Sequence, residues 1–74
     1  MNKLILNFKC VSNNKQYDLL LDKRLSLIEN FKLLADLIDI DIDKVYVLYF
    51  NVPLRKDVPL DCFDLPQYSR LLVY

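Results

Sequence analysis

Three aspartates at alternate positions, Asp39, Asp41 and Asp43, are the side chains in this sequence that most resemble a cation site. Hard cations such as Ca²⁺ bind convergent carboxylates, but the calcium loop that this spacing opens also requires Gly at its sixth position and Glu at its twelfth. Those positions hold Lys44 and Phe50. We therefore interpret the aspartates as a solvated segment at the exit of a helix, and we expect no metal site.

Nucleophilic catalysis would have to use Cys10 or Cys62, because no Ser lies in a Gly-x-Ser-x-Gly elbow. A nucleophile needs an activating base, and the sequence contains no His. It also contains no Gly, so it has no glycine-rich phosphate loop. We predict that the protein is not an enzyme, that it binds no cofactor, and that both cysteines are reduced and buried in a cytoplasmic protein.

The composition predicts a small protein with more apolar side chains than its core can bury, so that some are available for an interface. Residues 1–74 suffice for a single domain, and a hydrophobic content of 54% is high for so short a chain. Ten basic and ten acidic residues give a net charge of zero, without the basic excess typical of nucleic-acid-binding proteins. The N-terminus lacks a signal-peptide pattern, and no apolar run approaches the ~20 residues of a membrane helix. We expect neither nucleic-acid binding nor membrane insertion.

Alternating apolar residues predict an N-terminal β-hairpin. From Leu4 to Cys10 every second side chain is apolar, and Tyr17, Leu19 and Leu21 share one face of the following segment. The intervening residues 12–15, Ser-Asn-Asn-Lys, indicate the turn, because Asn is the best residue after Gly for a left-handed conformation.

A helix is predicted after this hairpin. Ser26 and Glu29 have the spacing of a capping box, in which both side chains bind free N–H groups at a helix start. The predicted apolar face consists of Leu27, Phe31, Leu34, Ala35 and Ile38, opposite Glu29, Lys32 and Asp36. We expect the helix to end near Ile38. Leu33 and Leu37 form a second stripe, which we expect to be buried under residues 52–60.

The second half of the chain predicts three further strands. Residues 44–51 are dominated by β-branched and aromatic side chains, and Pro53, which has no N–H to donate, is expected to end this strand. A short strand near residues 54–56 and a last strand over residues 70–74 complete the pattern. The predicted class is α+β, with a mixed sheet of four to five strands and one helix packed across one face (ββαββ).

Specific segments add a family resemblance to this pattern. They are Tyr17-Asp18-Leu19, the helix end Leu37-Ile38-Asp39-Ile40, and Leu60-x-x-Phe63-x-Leu65 before Arg70-Leu71-Leu72-Val73. In these segments the chain resembles ubiquitin-like β-grasp proteins, and more closely the YukD/EsaB family of small accessory proteins of bacterial type VII secretion. The resemblance implies a cytoplasmic protein-interaction module that acts non-covalently on a protein partner, with a membrane-associated secretion component as the candidate. The family often has Gly-Asp before the last strand, where this chain has Tyr68-Ser69.

Strand alternation predicts an apolar surface on the side of the sheet that faces away from the helix. If Val45, Val47 and Tyr49 face the helix, their neighbours face outward, and ubiquitin-like sheets place this strand beside the last one. The predicted partner-binding residues are Tyr46, Leu48, Phe50, Leu72 and Tyr74. Exposed apolar patches on small proteins often mark interaction surfaces. The alternative is that the alternation is shifted by one residue, or that Lys44 and Arg70 cover the rings.

Two other functions remain open. The same surface would serve a self-assembling structural or scaffold subunit that forms a homodimer. A sulfur carrier or conjugated modifier shares the fold but requires a terminal Gly-Gly. Since the sequence ends Val73-Tyr74 and contains no glycine, we expect a non-conjugated protein.

Overall fold

The computed structural model describes residues 2–34 and 37–74 as a five-stranded mixed sheet with one α-helix across one face. The elements are β1 (Lys3–Cys10), β2 (Gln16–Asp22), α1 (Leu27–Leu33), a 3-10 helix (Ile42–Lys44), β3 (Val47–Tyr49), β4 (Val52–Pro53), a second 3-10 helix (Leu60–Cys62) and β5 (Ser69–Val73). The strand order is β2-β1-β5-β3-β4. β1 and β5 are parallel and the other neighbours are antiparallel. The predicted α+β architecture is confirmed.

The N-terminal hairpin forms as its alternation predicts. β1 and β2 pair along their length, and Asn14 takes the left-handed conformation in the turn, with φ 60°. The side chains of Leu6 and Phe8 are fully buried. The Phe8 ring meets the Phe31 ring of α1 edge-on, with centroids 5.3 Å apart, so β1 contacts the helix through a buried aromatic pair.

Helix α1 begins as predicted and ends earlier. The Ser26 Oγ accepts from the Glu29 N–H and the Glu29 carboxylate accepts from the Ser26 N–H, each at 3.1 Å, which completes the capping box. The helix ends at Leu33 rather than near Ile38, because the Leu34 N–H bonds the Phe31 carbonyl, three residues back instead of four. Two residues of the predicted stripes, Ala35 and Asp36, lie outside the described residues.

The predicted boundaries of β3 and β4 are wrong. β3 has three residues, and Phe50 and Asn51, with φ 49° and 64°, form a two-residue turn directly after it. Pro53 lies within β4 instead of ending the ladder. The Leu54 N–H donates to the Val47 carbonyl at 2.9 Å, so Pro53, one position earlier, falls where an antiparallel pair needs no N–H.

The prediction that residues 52–60 bury Leu33 and Leu37 is also wrong. Their side chains are 74% and 76% exposed. The segment contacts the beginning of α1 instead: the Ile28 N–H donates to the Lys56 carbonyl at 3.1 Å, and Pro59 forms a bridge with Ser26. The end of the helix is therefore left uncovered by this segment.

The two cysteines do not form the buried pair that was expected. Cys10 is buried in the core at the end of β1, and burial raises the pKa of its thiol. Cys62 is exposed. It ends the second 3-10 helix, in which Leu60 takes the buried position and Cys62 faces solvent.

Candidate interaction surface

Backbone pairing between β3 and β5 brings together four of the five predicted partner-binding residues. Leu48 lies directly opposite Leu72. Two residues along each strand, Tyr46 and Tyr74 exchange two backbone hydrogen bonds of 3.0 and 2.9 Å. Directly opposed residues on neighbouring strands have their Cβ atoms about 4.5–5.5 Å apart. We call these four side chains the outer apolar surface.

The outer apolar surface faces away from the core, as strand alternation predicts. Val47 and Val73, which alternate with its members, are buried. The side chains of Tyr46 and Tyr74 are 72% and 52% exposed. Leu48 and Leu72 are half-buried, because each has apolar neighbours on the adjacent strand. The outer apolar surface therefore consists of two solvent-exposed tyrosine rings beside two half-buried leucine side chains.

Phe50, the fifth residue that strand alternation predicted, does not belong to the outer apolar surface. It lies in the β3–β4 turn, outside the strand, and its ring packs on the neighbouring Tyr49 ring with centroids 4.6 Å apart. Tyr49 belongs to the core-facing side of β3. Phe50 is nevertheless the most exposed of the large apolar residues described, at 82%. Strand alternation predicted its exposure but not its place, because β3 ends at Tyr49, two residues before the predicted end of the strand at residue 51.

A polar row borders the outer apolar surface on the same face of the sheet. The Asn7 amide donates to the Asp18 carboxylate at 2.9 Å and accepts from the Arg70 guanidinium at 3.3 Å. This row therefore links β2, β1 and β5. Lys9 lies between Gln16 on β2 and Leu72 on β5. The outer apolar surface is consequently bordered by two basic side chains, Lys9 on β1 and Arg70 on β5.

The alternate aspartates have a structural role at one position. Asp41 caps the first 3-10 helix by accepting from the Asp43 N–H at 3.3 Å, and its carboxylate lies 3.6 Å from the Lys44 ammonium. Asp39 is exposed. Across residues 2–34 and 37–74, no three Cys, Asp or Glu side chains are grouped so that they could hold a metal ion. In the same described part of the chain, no helix is long and apolar enough to span a membrane.

Sequence patterns did not identify Asn30, a buried polar residue of α1. Its carboxamide accepts from the Asp22 N–H at 2.9 Å and donates to the Asp22 and Ser26 carbonyls, each at 3.0 Å. A polar residue between Leu27 and Phe31 on the core side of an amphipathic helix was the available signal. Which backbone groups it would meet depends on the position of β2.

Solved structures with a similar fold are ubiquitin-like domains. One, from an Arabidopsis thaliana protein, has a TM-score of 0.79 at 16% identity and covers 100% of this chain and 78% of that chain. The UBL domain of Plasmodium falciparum Dsk2 has a TM-score of 0.77 at 13% identity and covers 96% and 95%. The UBL domain of yeast Ddi1 has a TM-score of 0.76 at 17% identity and covers 99% and 88%. No protein-family model and no curated protein matches the sequence. The chain has the ubiquitin-like β-grasp fold.

Proposed function

We propose that the protein is a non-catalytic interaction module whose protein partner binds the outer apolar surface. The observation that carries this proposal is the pairing of Tyr46 with Tyr74 and of Leu48 with Leu72 on the face opposite α1. Exposed aromatic side chains are favoured anchors at protein interfaces, and these two tyrosines leave most of their area in water.

The border of the surface defines the partner's chemistry. Lys9 pairs with Leu72 across β1 and β5, and Arg70 lies two residues before Leu72 on the same face. Charged groups at the rim of an interface favour partners of opposite sign and speed their association. The partner that fits is an apolar protein segment flanked by acidic residues.

Leu48→Asp tests this surface directly. A central interface residue costs about 2 kcal/mol or more when its contacts are lost, so the partner's dissociation constant should rise at least about 30-fold. Partners captured from the host cell by the wild-type chain would be quantified by mass spectrometry and then tested as purified proteins. Leu37→Asp is the matched control, because Leu37 is an exposed leucine outside the sheet. Equal binding by the two variants would remove the surface from consideration.

The cellular role that we propose is that of a bacterial, cytoplasmic accessory of type VII secretion. The support is the sequence resemblance to the YukD/EsaB proteins in three segments, at the start of β2, over residues 37–40 after α1, and from Leu60 to Leu65 before the last strand. Genomic context tests it: neighbouring reading frames should encode a membrane ATPase and small helical secreted proteins. Light scattering across a concentration series tests the alternative of a self-assembling subunit. A dimer that Leu48→Asp dissociates would favour that alternative over a separate partner.

A further inference from the structure

The two edges of the sheet differ, and only one of them has the features that resist pairing with another chain. β4 has two residues, one of them Pro53, which is the kind of short edge that resists pairing with another chain. β2 forms the opposite edge with seven residues, Gln16–Asp22. A long edge strand presents a row of unpaired backbone donors and acceptors to any extended chain that approaches it.

The direction of these backbone groups follows from the pairing of β2 with β1. The Lys23 N–H donates to the Asn2 carbonyl at 2.7 Å, and the Cys10 N–H donates to the Lys15 carbonyl at 2.8 Å. In an antiparallel pair, residues alternate between those that bond the partner strand and those whose groups point away. The even-numbered residues of β2, which are Gln16, Asp18, Leu20 and Asp22, therefore direct their N–H and C=O groups outward.

The side chain of Asn30 shows that the outward backbone groups of β2 can bind an amide by hydrogen bonds. Its carboxamide bonds both outward groups of Asp22, the N–H at 2.9 Å and the carbonyl at 3.0 Å, as a residue of an adjacent strand would. Among the described residues, no corresponding hydrogen bond reaches the backbone N–H groups of Gln16, Asp18 or Leu20. The helix thus closes one end of the edge and leaves three residues of it open.

The side chains around the open edge define what pairs with it. On the core side, Tyr17 and Leu19 are half-buried at the margin of the core. Leu33, three residues after Asn30 on α1, is exposed. On the outer side, the Asp22 carboxylate is engaged by Arg24 at 2.8 Å, whereas within the described residues the neutral Asn7 amide is the one side chain bonded to the Asp18 carboxylate. An added strand would therefore place apolar side chains on the core side and a cation opposite Asp18.

A second copy of the chain fits this edge poorly. The two-fold antiparallel register that uses all three open residues places Gln16 opposite Leu20 and Asp18 opposite its own copy. Like charges directly opposite each other on neighbouring strands are destabilising. We propose that the open edge of β2 binds an extended segment of a partner protein by strand addition, with alternating apolar and Lys or Arg side chains.

The test uses a synthetic peptide, acetyl-Thr-Val-Lys-Val-Lys-Val-Thr-amide, titrated into the ¹⁵N-labelled protein. The backbone amides of Gln16, Asp18 and Leu20 should shift, and their hydrogen exchange should slow. The peptide with Glu in place of both Lys should bind more weakly. Leu48→Asp should leave this binding unchanged, so failure of the outer apolar surface and failure of this edge are distinguishable.

The Leu20→Pro variant distinguishes peptide binding by strand addition from peptide binding through side-chain contacts alone. Proline removes the outward N–H without touching a bond to β1, a position that edge strands tolerate. Peptide affinity should fall about tenfold relative to Leu20→Ala, which keeps the N–H. Should Leu20→Pro fail to fold by circular dichroism, Asp18→Lys provides the second arm, because it should reverse the preference between the Lys and Glu peptides.

Several results would overturn the proposal. They are equal affinity of the Pro and Ala variants for the peptide, an unchanged peptide preference in Asp18→Lys, and the absence of amide shifts at β2 up to millimolar peptide. A homodimer whose dissociation by Leu20→Pro is seen in sedimentation would also overturn it, since the edge would then bind a second copy.

Discussion

Replacement of Asn30 by Ala removes a buried set of hydrogen bonds between α1 and the edge of the sheet. Three of them, to the Asp22 N–H, the Asp22 carbonyl and the Ser26 carbonyl, are 2.9–3.0 Å long. A fourth, to the Leu25 carbonyl, is longer at 3.4 Å. Asn30 is only 3% exposed, so its hydrogen-bond partners are shielded from solvent by the fold.

The magnitude follows from these contacts. A net contribution of about 0.5–1.5 kcal/mol for each of the three short bonds gives a loss of roughly 2–4 kcal/mol. A domain of this length has an unfolding free energy on the order of 4–11 kcal/mol. The melting temperature should therefore fall by roughly 10–30 °C. Urea titration and thermal unfolding, both followed by circular dichroism, measure the change.

Asn7→Ala is the matched control, because the Asn7 amide also bonds two partners but lies on the solvent face of β1. Its effect should stay within about 0.5 kcal/mol. Asn30→Asp keeps the acceptor for Asp22 but directs a carboxylate at carbonyl oxygens. The loss of unfolding free energy in Asn30→Asp should become smaller as the pH falls and the new carboxyl is protonated. An Asn30→Ala effect no larger than that of Asn7→Ala would refute the view that Asn30 closes the sheet edge.

Two further predictions concern the β3–β4 turn and the pH dependence of folding. Phe50→Asn combined with Asn51→Gly should raise the unfolding free energy by about 1 kcal/mol in urea titration, because both positions have positive φ and an Asn-Gly pair suits such a turn. Phe50→Ala removes the ring but leaves a residue that disfavours positive φ, so it should show no gain in the same titration. Hydrogen bonding to Arg24 lowers the pKa of the Asp22 carboxyl to about 2. The folded pKa is thus below the unfolded one, so this contribution is complete above about pH 4 and disappears as the pH falls toward 2. Thermal unfolding of Asp22→Asn should depend less on pH over that interval, and an unchanged dependence would contradict the assignment.

Local patterns in the sequence were sufficient for the elements whose determinants lie within a few residues. The capping box of Ser26 and Glu29 marked the start of α1, since both partners are three residues apart and need no tertiary contact. Alternation placed Val47 and Val73 in the core, because the side-chain period of a strand is two wherever that strand lies. These two kinds of signal account for the order of the elements and for which faces of β3 and β5 are buried.

The remaining features depend on which distant segments meet. Tyr46 and Tyr74 are neighbours only because β3 pairs with β5, and the exposure of Leu33 depends on residues 52–60 reaching the start of α1 instead of its end. The open edge of β2 exists because the strand order leaves that strand without a second neighbour, while the hydrogen bonds of Asn30 to this strand involve Asp22 alone. Periodicity determines which way a side chain points along its own element. What covers it is decided by non-local packing, which the tertiary structure alone settles.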